Sequence, residues 1–358
     1  MREKSFEPRL ESLRGIAALV VALHHGLMTF NPDPDRNPIF RAIDLSLQIV
    51  RPEASVMFFF VLSGYVLGRA LERDGRIVPY LIRRAFRILP MFIASIIFAY
   101  LCLTLFRLAA PPEGLKEFFK ASFWPAPDLG RLWENLTLQS FWINGPSWSI
   151  YPEIIGSLFL PVFVLGHQRT PVRWQWPLFI AAFIILAFTP YRLLLWFYCG
   201  FFLPQQIARV AGSRWLVLIA LFVGGAALVE YAAEYAVYYK FKTIAPSALG
   251  ASAMIGAVIA SDKFLSGLDI RPLRFLGRVS YSFYLLHWPM FYLSAIAYIA
   301  AGLPQTGAAN LFICIASITM ALALSTLTYS AIEVPSMTLG KSIASIFRTR
   351  ITNGAPTG

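Results

Sequence analysis

Apolar residues gather along this chain into blocks near twenty residues long, separated by short segments that hold most of the charge. A block of that length, wound as an α-helix, matches the hydrocarbon thickness of a bilayer. The pattern predicts spans over roughly 13–30, 53–70, 86–108, 150–166, 174–189, 191–206, 214–231, 243–260, 278–301 and 309–332. Pro190 and Arg192 leave the fifth and sixth nearly continuous, so that region reads as a tight hairpin or as one broken segment. The expected fold class is therefore all-α, a polytopic transmembrane helical bundle of about ten spans, with eight as the alternative. Residues 8–336 form the membrane domain, and 337–358 a short cytoplasmic tail, partly disordered. The longest loop, about 109–149, is rich in proline and aromatics ("FWPAPDLGRLWENL", "FWINGPSW") and suits the membrane interface.

Composition sharpens this picture. Of 358 residues, 57% are hydrophobic and only 14% charged, against about a quarter charged in soluble domains. The net charge of +12 would suit nucleic acid, but the basic residues are dispersed through short loops, so no nucleic-acid partner is expected. With the N-terminus placed in the cytoplasm, inner segments hold 21 of the 31 basic residues, including Arg69, Arg73, Arg76, Arg83, Arg84 and Arg87. This positive-inside bias predicts both termini cytoplasmic and a multi-pass protein of the inner membrane. Cys102, Cys199 and Cys314 lie in separate apolar blocks without metal-ligand spacing, so neither a metal site nor a disulfide framework is expected. The first apolar stretch lacks a convincing cleavage site and reads as a permanent helix rather than a signal peptide.

Ionisable residues inside such spans are costly and therefore informative. The first span, "RLESLRGIAALVVALHHGL", carries Arg14 near its inner end and His24 and His25 deep inside. Arg14 and His25 are eleven residues apart, which puts them within about 20° on one helix face and roughly 16 Å apart along it. A snorkelling anchor and a histidine cap are the plain alternatives. Arg84 and Arg87, three apart on one face, could clamp a phosphate-rich ligand or serve topology alone. At the outer end of the fourth span, "PSWSIYPE" offers Trp148, Ser149 and Glu153. Glu153 reads either as a first-turn capping carboxylate or as an acid–base partner for His25. Ser63 and Gly64 suit close helix packing. His287 in "GRVSYSFYLLHWPMF" and Glu333 at the inner boundary read singly as structural, and His167 as solvent-exposed. Asn135-Leu-Thr matches a glycosylation acceptor, a pattern common by chance.

Taken in order, Arg14 with His25, "FFVLSGY", Arg84-x-x-Arg87 followed by Pro90, "WSIYPE", "GRVSYSFYLLHWP" and "IEVP" resemble the acyltransferase 3 family of membrane-bound acyltransferases. The resemblance covers roughly residues 8–336. Glu11 and Ser12 stand where relatives often carry Asp and Gly, and Pro152 directly precedes Glu153. The resemblance implies transfer of an acyl group, usually acetyl, from cytoplasmic acyl-coenzyme A to a hydroxyl of an envelope glycan or lipid-linked sugar. It implies His25 as catalytic histidine with Arg14 as its partner, Arg84 and Arg87 on the donor side, and Glu153 at the acceptor side or active centre. By charge, Arg274 and Arg278 would join the basic inner mouth that holds the nucleotide phosphates. Trp148, Ser149 and His287 are then candidates for substrate contact, and acyl-coenzyme A and the bilayer are partners. His25 would act as general base, with Glu153 orienting it. The rival reading is a transporter or flippase for a lipid-linked sugar, since buried ionisable residues also line transport routes.

Overall fold

The computed structural model describes residues 7–31, 42, 51–108, 110–124, 126–234 and 241–352. Among them the protein is helical, with one isolated bridge between Phe30 and Leu115. The helices are α1 (Pro8–Gly26), α2 (Pro52–Asp74), α3 (Ile77–Leu105), α4 (Glu117–Phe123), α5 (Leu129–Leu136), α6 (Ile150–Arg169), α7 (Val172–Ala187), α8 (Leu194–Ala211), α9 (Trp215–Ala233), α10 (Phe241–Ala260), α11 (Arg271–Ala300), α12 (Gly307–Thr328) and α13 (Val334–Thr352). Their ends follow local chemistry. Proline opens α1 and α2, where a missing N–H is no loss, and Gly75 closes α2 in the left-handed conformation at φ 65°.

Among the described residues, seven helical stretches are long and apolar enough to cross a bilayer: Pro52–Asp74, Ile77–Leu105, Gly145–Arg169, Trp215–Ala233, Thr243–Ala260, Arg271–Ala300 and Ala308–Phe347. The protein is thus a multi-pass membrane helical bundle. Three further expected spans coincide with α1, α7 and α8. The first two turns of α1 carry Arg9, Glu11 and Arg14, and α7 has only 16 residues. The doubtful 174–206 region is two helices joined by a turn in which Leu194 N–H donates to the Tyr191 carbonyl at 2.9 Å.

Small residues bring the central helices together. A Cβ on Gly64 would strike the Phe197 carbonyl oxygen, and one on Gly200 the Val61 carbonyl oxygen, so α2 and α8 meet backbone to backbone. On the other side of the bundle, a Cβ on Gly15 would come within 2.6 Å of Gly277 N. That contact and the one between His25 and His287 advance together along α1 and α11, so the two helices run parallel. Trp196, wholly buried in α8, donates its indole N–H to Ser247 Oγ of α10 at 2.8 Å.

Prolines inside helices free a carbonyl one turn earlier, and here those carbonyls are put to use. Pro161 leaves the Ser157 carbonyl to accept Tyr80 O–H at 3.1 Å, tying α6 to α3. Pro289 leaves the Leu285 carbonyl, halfway along α11, to accept Asn144 Nδ2–H at 3.0 Å. Asn144 also reaches Ser95 Oγ, well inside α3, at 3.4 Å. The segment after α5 therefore dips into the bundle, turns through a 3-10 stretch (Gly145–Ser149) and starts α6 there rather than at the surface.

One expectation, the exposure of His167, is corrected, and the structure adds detail to the tail and to Asn135. Residues 337–352 are helical, with Ala344 buried and Gly340 against Phe86 of α3, while 353–358 lie outside the described residues. His167 is buried, because Tyr198 O–H at 2.7 Å and the rings of Phe201 and Phe202 surround it. Asn135 is fully buried, its amide bonded to the Arg131 carbonyl, Ser140 Oγ and Ile143 N–H, so its side chain does not face solvent as a glycan acceptor must.

Candidate active site

α1 carries the two residues whose spacing stood out, and α11 supplies partners for both. Arg14 donates through Nε to Ser280 Oγ at 2.9 Å and through Nη2 to the Gly277 carbonyl at 2.7 Å. In the last turn of α1, His25 Nδ1 meets His287 Nε2 at 2.9 Å, and His287 Nδ1 meets the Tyr284 carbonyl at 2.6 Å. The two imidazole planes are parallel within 2°. Paired hydrogen bonds between Asn310 of α12 and the Phe30 backbone hold the chain just beyond His25 in place, at 2.8 and 2.9 Å.

Aromatic rings close around His25. Phe118 of α4 stacks on it with centroids 5.9 Å apart, and Trp288 meets it edge-on at 4.9 Å. Phe118 and Phe123 also pack against Trp288, so the folded segment between α3 and α6 forms one wall of the site. His25 stays partly exposed, and its Nε2 has no protein partner among the described residues. The buried Trp288 Nε1–H likewise has none.

A second polar cluster lies further along the same helices, around the arginines of α3. Arg84 pairs with Glu153 and donates to Ser157 Oγ at 3.0 Å. Arg87 pairs with Glu333, lies 5.3 Å from the Tyr281 ring centre and is within electrostatic range of Arg14 and Arg84. Glu333 is fully buried and also accepts the Ser282 N–H at 3.1 Å and the Ser282 hydroxyl. It ends a π-helical turn, Tyr329–Glu333, that offsets α13 from α12. Arg14 has no carboxylate within ion-pair distance among the described residues.

The structure thus brings Arg14, Arg84 and Arg87 together and sets His25 and His287 apart from them. Glu153 is not beside His25: α6 starts inside the bundle, which delivers that carboxylate to Arg84. Arg278 is exposed against Phe275, 5.9 Å from the ring centre, with Glu11 within electrostatic range. Ser149 donates to the Pro146 carbonyl at 3.0 Å, and Trp148 lies edge-on to Phe60. His287 is 2% exposed with both ring nitrogens engaged, which leaves it no polar atom for a substrate. Phe118 and the Tyr284 carbonyl were not legible in sequence, since a loop phenylalanine and a backbone oxygen carry no signal of their own.

A family model described as an acyltransferase domain matches residues 7–329, nearly the whole chain. "Protein 2 in picA locus" of Rhizobium radiobacter is 26% identical over 166 residues, covering 41% of this chain and 76% of that protein. No solved structure matches.

Proposed function

The chain belongs to the acyltransferase 3 family, and from that premise we propose that it moves an acyl group, acetyl by default, from cytoplasmic acyl-coenzyme A to a sugar hydroxyl of an envelope glycan. The observation that carries the reading is the free Nε2 of His25, partly exposed in a ring whose other nitrogen is held.

His25 Nε2 takes the proton of the acceptor hydroxyl as that oxygen attacks the thioester carbonyl. The tetrahedral intermediate collapses, the carbon–sulfur bond breaks, and His25 returns the proton to the departing thiolate. Trp288 Nε1–H, buried beside His25 and without a partner, is the donor available to the oxyanion that develops between these steps.

The donor end follows charge. Glu153 and Glu333 neutralise Arg84 and Arg87, whereas Arg14 bonds only to neutral groups. Arg14, which has Glu11 within electrostatic range but no carboxylate in ion-pair contact, is therefore the least neutralised of the three and suits an anionic nucleotide, supported by the exposed Arg278. Arg84 and Arg87 serve donor binding by exchanging carboxylate for phosphate or by fixing the wall around Arg14. In the same reading α1, α7 and α8 also cross the bilayer, giving ten spans with both termini in the cytoplasm of an inner membrane.

Membranes containing the protein, given acetyl-labelled acetyl-coenzyme A and the host's surface glycan, should transfer label to the glycan. His25→Ala should lower that transfer by about 10²–10⁴-fold. Undiminished labelling in His25→Ala would sink the assignment, and absence of any thioester consumption by the wild type would favour transport instead.

A further inference from the structure

Resting on the general-base reading of His25, we propose that His287 is a positioning residue that fixes the tautomer of His25 and never touches substrate. A backbone carbonyl can only accept, so the 2.6 Å contact to Tyr284 requires the proton of His287 to sit on Nδ1. A neutral imidazole protonated there presents a lone pair at Nε2, which accepts from His25 Nδ1–H across 2.9 Å. His25 must then hold its lone pair at Nε2, the ring nitrogen that no described residue engages. The three-member chain, Tyr284 carbonyl to His287 to His25, thus sets the atom that receives the proton.

Geometry excludes the alternatives for His287. It is 2% exposed, both its nitrogens are used, and Leu286 and Trp288 flank it in sequence within the buried stretch of α11. The parallel ring planes put the nitrogen lone pair in line with the hydrogen bond, as orientation demands and mere packing does not. The carboxylate that fills this place in a serine-protease triad is absent for a physical reason: Glu153 is held by Arg84. A neutral orienter also leaves no net charge at rest on a histidine pair inside a membrane span.

The chain has four histidines, so ¹⁵N-histidine labelling of the full-length protein in detergent or bilayers gives separable ring signals. Wild type should show His25 protonated at Nδ1 and bare at Nε2. His287→Leu should redistribute that tautomer and lower kcat roughly 100-fold with the KM for acetyl-coenzyme A unchanged. In His287→Gln the amide oxygen stands where Nε2 stood and still accepts from His25, so the tautomer should persist and kcat should stay within about tenfold of wild type. Melting temperatures near wild type for both variants separate the effect from unfolding. Equal kcat in the Leu and Gln variants, or an unchanged His25 tautomer in His287→Leu, overturns the positioning role. Activity in His25→Ala would instead overturn the general-base reading on which it rests.

Discussion

What neutralises each arginine separates three residues that sequence treated alike. Arg87 and Glu333 form an ion pair in which the carboxylate is wholly buried, so removing one partner strands the other's charge. Glu333→Gln should cost about 3–5 kcal/mol of stability, read as a lowered melting temperature. The double variant Arg87→Met/Glu333→Leu should recover most of that loss, and it should still fail to use the donor if Arg87 binds it. Arg14→Gln loses two hydrogen bonds to α11 but no ion pair, so it should lower the melting temperature less than Glu333→Gln and chiefly raise the KM for acetyl-coenzyme A. Trp288→Phe keeps the ring but removes the N–H, and kcat should fall about 10²–10³-fold if that group holds the oxyanion. His24, 6.0 Å from His25 between ring centres and edge-on, should tolerate alanine with glycan acetylation retained. The Arg14 and His25 spacing was visible because helix periodicity fixes which residues share a face. The partner of His25 was not, because 262 residues separate it from His287.

Elements are held by backbone approach and by carbonyls that proline releases. The expectation of close packing at Gly64 is met against Phe197, and Gly200 returns the contact against Val61. Gly200→Leu should therefore destabilise by about 1–3 kcal/mol through overpacking, measured by thermal melting. Gly224, whose added Cβ would meet nothing within 4 Å, provides the control and should accept alanine without change. Gly15→Val should be worse for activity than for folding, since pushing α1 from α11 displaces Arg14 and His25 together. The long apolar helices were legible from block length, whereas α4, α5 and α13 were not. The inward dip of 143–149 was not, because a proline-rich aromatic loop reads as interfacial until Asn144 is seen on the Leu285 carbonyl. That dip moved Glu153 from the expected histidine to Arg84, so one misread element changed one residue's role.

Across the whole molecule, the arginine cluster and the histidine pair lie along the same two parallel helices and are separated along them. That arrangement suits a reaction whose donor and acceptor approach from opposite sides of a membrane. Reporter fusions test the proposed ten-span topology. Green fluorescent protein should fluoresce when fused after 170, 213 or 265, and alkaline phosphatase should be active after 112, 190 or 305; the reverse pattern at 190 would reduce the count to eight. Sequence by itself determined the membrane class, the long apolar helices, the family resemblance and the Arg14 and His25 face, because block length and helical period are local properties of the chain. Only the tertiary structure decided that His287 rather than Glu153 meets His25, that Glu153 and Glu333 occupy Arg84 and Arg87, and that His167 and Asn135 are buried. Each of those depends on which distant helices pack together, and apolar spans with similar outward composition do not encode their neighbours in any local pattern.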